Sequence, residues 1–148
     1  MRYPKEPAYS ELYIHDAQKT IAHSFDYAVK KIGFSLEQYA MNFAYFKYID
    51  LIENGDPHYL CGMSGIELSR EICNINERLG RIPYNPQLEY WTGWILCYYQ
   101  WCRNISYKDI LAKFSIADFR AAFPTFHECN KTKMIEYMDE KIFGVIYE

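Results

Sequence analysis

From Ser10 onward the apolar side chains of this chain recur at steps of three and four residues. Ile14, Ala17, Ile21, Phe25, Ala28 and Ile32 fall within a narrow arc at about 100° per residue. The spacing predicts an amphipathic helix capped by Ser10 and stopped by Gly33. Ser35 with Gln38 fits a capping box, with Phe34 placed to staple onto Tyr39, and a second helix is expected to run to about Glu53. Pro57 opens a short turn after "NGDP". Ser64 with Glu67 repeats the capping device ahead of Ile66, Ile72, Ile75 and Leu79, up to Gly80. "PYNP" reads as a loop, with Asn85 and Pro86 as the cap and first-turn pair of the next helix. Further starts follow at Ser106, Ser115 and Asn130, the last leading into Met134, Tyr137, Met138, Ile142 and Val145. No stretch alternates with period two. The pattern predicts an all-α bundle of six to seven helices in a single domain over residues 10–148, after a flexible tail at 1–9.

Two of these helices depart from the ordinary one-sided stripe. "EYWTGWILCYYQWC", residues 89–102, holds all three tryptophans and three of the fifteen tyrosines. Its apolar arc spans roughly 200°, which predicts contact on several sides and a central place in the bundle. Gly93, on the poorer face, would let another backbone approach closely. The rings are read as core, because stacking platforms for nucleic acid come with basic residues and this stretch has few. The second helix is apolar on opposite sides: Leu36, Tyr39, Ala40, Phe43 and Phe46 on one, Met41, Tyr45, Tyr48 and Ile52 on the other. A domain this small has one obvious central position, so the second stripe is expected to face a partner: another protein, or a second copy of this one.

Composition narrows the function classes. A chain of 148 residues, half of them apolar, can bury a core without disulfides or metals. The net charge of −3 and the absence of a basic cluster beyond Lys30-Lys31 argue against nucleic acid as a partner. The five cysteines are odd in number and never spaced C-x-x-C, which argues against zinc and for reduced, mostly buried thiols in a cytoplasmic protein. No apolar run approaches the roughly 18 residues that would read as a membrane helix, so no membrane association is expected. No cofactor or metal is expected either.

Candidate chemistry is sparse. His15 and His23 lie off the apolar arc of the first helix, His58 sits in a turn, and His127 belongs to the loop "PTFHECN". "HE" lacks the second histidine of a zinc-protease motif, and "CGMSGIE" does not have the order of a nucleophile elbow. An acid–base pair of His127 with Glu67 or Glu89 stays open, but no catalytic residue is assigned and the chain reads as a binding protein rather than an enzyme.

Three motifs together, "NGDPHYLCGMSGIEL", "EYWTGWILCYYQW" and "FPTFHECNKTK", resemble a group of small Firmicutes proteins. In these a G-M-S-G-x-E-L turn precedes a Y-W-x-G-W-x-L-x-Y-Y-Q-W helix and a Y-P-T-L-H-E-A-D segment. The resemblance covers most of residues 9–143; Phe123 and Cys129 depart from its tyrosine and alanine. It implies a companion in gene clusters of the toxin–antitoxin or mobile-element kind, hence an antitoxin or regulatory partner of a neighbouring toxin. Its pattern also picks out Glu67, Tyr99, Gln100, His127 and Glu128, polar side chains that packing alone does not explain. They are expected either to form a buried hydrogen-bond network that fixes helix order or, with Glu67, Tyr99, Gln100 and His127 at its wall, to line a small-molecule pocket.

Overall fold

In the computed structural model, which describes residues 6–77, 79–80, 82 and 87–147, Ser10 accepts the amide of Leu12 at 3.2 Å and opens α1 (Glu11–Tyr27). The helix continues as a π-helical turn, Ala28–Ile32, and ends where Gly33 adopts φ 99°. The described chain then runs through α2 (Leu36–Ala44), α3 (Ile49–Glu53), α4 (Pro57–Leu60), α5 (Gly65–Cys73), α6 (Leu88–Arg103), α7 (Tyr107–Lys113), α8 (Ile116–Phe126) and α9 (Lys131–Phe143), with no strand among the described residues. The caps read from the sequence operate. Ser35, Ser64 and Ser115 each close a capping box, and Ser106 and Asn130 accept first-turn amides at 3.1 and 2.9 Å. Asn85 and Pro86, the expected cap of the aromatic helix, lie outside the described residues.

The nine α-helices among the described residues exceed the six to seven expected because the segment 35–53 is broken and Asp56-Pro57 starts a helix of its own. The break has a packing cause. On a straight helix, at about 100° per residue, Phe46 and Ile52 would point about 120° apart. Both are buried, at 9% and 1% exposure, so the chain must turn between them. It does so through Phe46 N to Phe43 O and Ile49 N to Phe46 O, bonds of three-residue span that tighten the path. Ile52, expected on the outer stripe, is therefore core.

The centre of the molecule is a pair of helices, α1 and α6, rather than α6 alone, with α5 and α4 also packed on α1. Glycines set the spacing. A methyl group on Gly93 of α6 would lie 2.9 Å from both the Cα of Ala22 and the ring of Phe25. One on Gly65 of α5 would lie 2.7 Å from the carbonyl oxygen of Thr20. Small residues on the facing stretch of α1, Ala17, Thr20, Ala22 and Ser24, are buried. Buried polar side chains of α1 find carbonyl partners: Thr20 donates to Leu60 O at 3.3 Å, Ser24 to Ile21 O at 2.7 Å, and Gln18 to Trp94 O at 3.3 Å. Around this pair the rings interlock edge to face. Phe25 meets Tyr39 at 4.9 Å, Phe43 meets Tyr107 at 4.7 Å, and Trp91 meets Phe123 at 5.4 Å.

Ala8 and Tyr9, read from the sequence as part of a loose tail, are tied to α6. Ala8 N donates to Trp101 O at 2.9 Å and Trp101 Nε1 donates to Tyr9 O at 2.8 Å. Trp101 thus spends its indole on the chain's own N-terminal side.

Two substitutions test this arrangement. Gly93→Ala at a neutral mid-helix site would stabilise by about 0.5–1 kcal/mol; here it is expected to destabilise by about 1–3 kcal/mol through overpacking against α1. Trp91→Ala, which empties an 8%-exposed indole site, is expected to cost about 3–5 kcal/mol. Urea unfolding measures both, and an unchanged midpoint in either variant would contradict the packing described.

Candidate functional site

α2 presents an outer face that the other described elements leave largely open. Met41 is 51% exposed, Tyr45 62% and Tyr48 41%, with Leu51 beside them in sequence at 39%. Tyr45 and Tyr48 flank the break, as the residues that end α2 and precede α3. Of the four residues expected on the stripe, three are therefore on the surface and Ile52 is not. Its replacement by Leu51 follows from the turn at 45–48, which periodicity across an assumed continuous helix could not register.

The exposed ridge separates two depressions. Beside Met41 lies a shallow, mainly apolar one of about 260 Å³, walled by Ala40, Leu111, Ile116 and Ala117. Beside Tyr45 and Tyr48 lies a groove of about 770 Å³ reaching Phe46 and Ile72, with Asn42, Lys47, Glu71 and Asn74 at its edge. The carboxylates of these depressions have partners of their own. Glu37 is held in a two-pronged bond by Arg120 at 2.8 and 3.1 Å, and Glu71 accepts from Tyr59 at 3.1 Å. The lysines lie over rings: Lys47 Nζ is 5.0 Å from the centre of the Tyr48 ring and Lys108 Nζ is 5.7 Å from that of Tyr45. The ridge is thus aromatic and apolar with ammonium groups at its margin.

The five polar candidates do not come together. Glu67 closes the capping box of α5, its carboxylate accepting the Ser64 amide at 3.2 Å. Gln100 is buried and donates to Glu53 O at 3.2 Å. His127 stands at the end of α8, which continues through Pro124 beyond the loop expected there; its Nδ1 lies 2.6 Å from Phe123 O. Glu128 is exposed, 3.7 Å from His127 Nε2. Glu67 borders a depression with Ser64 and Arg70, and His127 borders a different cleft with Trp91 and Trp94; neither includes Tyr99 or Gln100. The pocket expected from Glu67, Tyr99, Gln100 and His127 is not assembled.

Tyr99 does enter a buried network, with partners the sequence reading did not single out. Asp139 of α9 is fully buried, and its two oxygens accept four hydrogen bonds. Tyr99 donates at 2.7 Å, Arg103 at 3.0 and 2.7 Å, and Tyr147, beyond the end of α9, at 2.5 Å. A signal existed: Asp139 falls on the stripe Ile135, Asp139, Ile142, an acid on an otherwise apolar face. Burial pushes its carboxyl up, but the bonds from Arg103, Tyr147 and Tyr99 outweigh this and hold it below the usual aspartate range. Burial, together with the Asp139 bond, pushes the Tyr99 hydroxyl far up, so Tyr99 stays a donor. The network ties α6, α9 and the C-terminal segment. It is a structural tie between these three parts of the chain.

Among the described residues no three His, Cys, Asp or Glu side chains cluster as metal ligands would, and no helix is long and apolar enough to cross a membrane. A depressed aspartate contributes stability that is present above its unfolded value, about 3.9, and lost as pH falls through its folded value. Asp139→Asn is therefore expected to cost about 3–5 kcal/mol near neutral pH by removing the buried charge that accepts from Arg103, Tyr99 and Tyr147. The gap to the parent should narrow on acidification below about pH 4, as followed by thermal unfolding; a gap that is flat with pH would contradict the assignment. No protein-family model, curated protein or solved structure matches this chain, so its functional reading rests on the geometry above.

Proposed function

We propose that this chain is a protein-binding module that docks its partner on the ridge of Met41, Tyr45 and Tyr48. The observation that supports the reading is the grouping of exposure: of the six large apolar residues that stand out on the described surface, Met41, Tyr45, Tyr48 and Leu51 lie within one stretch spanning the α2–α3 break. Soluble proteins seldom leave such a patch open without a use for it. Methionine and tyrosine are residues that interfaces favour, and a few aromatic anchors carry most of the binding energy where they become desolvated.

The margin argues for the character of the partner. Lys47 and Lys108 put positive charge beside the ridge of a chain that is net negative. Two copies meeting through the same patch across a two-fold axis would bring these lysines toward one another. The complement that suits the ridge is a different protein, offering apolar side chains flanked by Asp or Glu. The resemblance to Firmicutes companions of toxin clusters supplies the finer reading, a cytoplasmic antitoxin or regulatory partner of a neighbouring toxin.

Tyr45→Glu combined with Tyr48→Glu is expected to leave the circular dichroism spectrum and melting temperature near those of the parent while abolishing co-purification with the product of the adjacent gene. Ile52→Ala serves as the opposite control: at 1% exposure it should lose about 2–5 kcal/mol of stability. A double-glutamate variant that binds as the parent does would remove the ridge from the interface. Parent protein running as a dimer that this variant dissolves would replace the foreign partner by a second copy.

A further inference from the structure

A second concavity lies away from the ridge, between α6 and the junction of α8 with α9. It measures about 500 Å³, within the usual range for small-molecule sites. Its apolar wall comes from Trp91, Trp94, Ile95 and Phe126, and its polar rim from His127, Cys129 and the first residues of α9. Two of the three motifs read from the sequence, the aromatic helix and "FPTFHECNKTK", thus meet at one cleft.

We infer that this cleft binds a small planar aromatic molecule bearing one anionic group. Trp94 is only half-buried and lines the cleft, so part of its indole stays available to a flat ring; Trp91, almost wholly buried among Phe119 and Phe123, makes a rigid backing. Indole faces stack on aromatic ligands with little dependence on their identity. The fixed charge among the lining residues is the ammonium of Lys131, which lies 4.6 Å from the centre of the Tyr98 ring and 5.7 Å from that of Trp94. It makes no salt bridge among the described residues and carries its charge over the Tyr98 and Trp94 rings, within reach of the anionic group of a ligand in the cleft. Glu128 lies outside the lining. The carbonyl of Phe123 can only accept, so His127 Nδ1, 2.6 Å from it, carries a proton, and the ring is further held by stacking on Phe123 at 4.3 Å. Nε2, 3.7 Å from the exposed Glu128 carboxylate, is the other hydrogen-bonding atom of His127 and the one a ligand would share with Glu128. Thr132 adds a hydroxyl to the same rim.

A nucleoside monophosphate and an aromatic carboxylate share this chemistry, and calorimetric titration of the full chain separates them. Four probes suffice: adenosine 5′-monophosphate, indole-3-acetate, adenosine alone and inorganic phosphate alone. One of the two ring–anion probes is expected to bind at about 1 mM or tighter, and the single-group probes at least about tenfold more weakly. Lys131→Gln should weaken the ring–anion probe by about tenfold or more and leave binding of adenosine, where measurable, unchanged; Trp94→Leu should weaken both. Lys108→Gln, on the ridge, should change nothing. Lys131 is a half-exposed first-turn residue, so its variant is expected to fold; if Trp94→Leu does not, Trp94→Phe, which keeps a ring, should retain binding. Binding only of the adenylate assigns a nucleotide ligand, and binding only of indole-3-acetate a carboxylate. Absence of binding by both ring–anion probes, phosphate binding as tightly as either, or indifference to Lys131→Gln would overturn the inference, and none of these outcomes bears on the ridge.

Discussion

The close seating of α5 and α6 on α1 is the constraint on which the rest of the molecule depends. Gly65 and Gly93 bring two backbones against one stretch of α1, close to Thr20, Ala22, Ser24 and the ring of Phe25. At these points an added methyl group would overlap the facing helix. Around them large rings complete the core: Phe25 and Tyr27 on α1, Tyr39 and Phe43 on α2, Tyr99 on α6, Tyr107 on α7 and Phe119 on α8 are all fully buried.

Aromatic residues also reach the surface in two places. On α2, Tyr39 and Phe43 pack inward on Phe25 while Met41 and Tyr45 on the other side stay more than half exposed. On α6, Trp91 is closed over by α8, Trp101 is taken up by the Tyr9 carbonyl, and Trp94 is left at the lip of a cleft. The two surfaces differ in kind. The ridge stands exposed between two depressions, whereas the cleft is concave, with rings below and polar groups around it.

The buried charge plays a different part. Asp139 accepts from α6 and from the C-terminal segment at once, so the carboxylate fixes the placement of α9 relative to the centre. A buried ion pair adds little to stability against an apolar replacement, but a broken one is costly, and its geometry selects one arrangement of helices over near alternatives. Arg103 stands at the last turn of α6, where a cation is also favoured by the helix dipole.

The sequence by itself determined the helical class, the starts of most helices and the close approach at Gly93. These are local: a serine three residues before Gln38, Glu67 or Asp118 meets its partner within one turn, whatever the rest of the chain does. Met41, Tyr45 and Tyr48 were legible as an outer stripe for the same reason. Ile52 was not, because its facing depends on a break that arises only when Phe46 and Ile52 compete for one core. Nor could the polar residues be grouped. Glu67, Gln100, His127 and Glu128 look alike in a pattern, yet one caps a helix, one bonds a distant carbonyl and two stand at a helix end, while Tyr99 takes its partner from forty residues away. Side-chain contacts at such separations are set by how helices pack in three dimensions, as where Gly65 of α5 and Gly93 of α6 seat closely on α1.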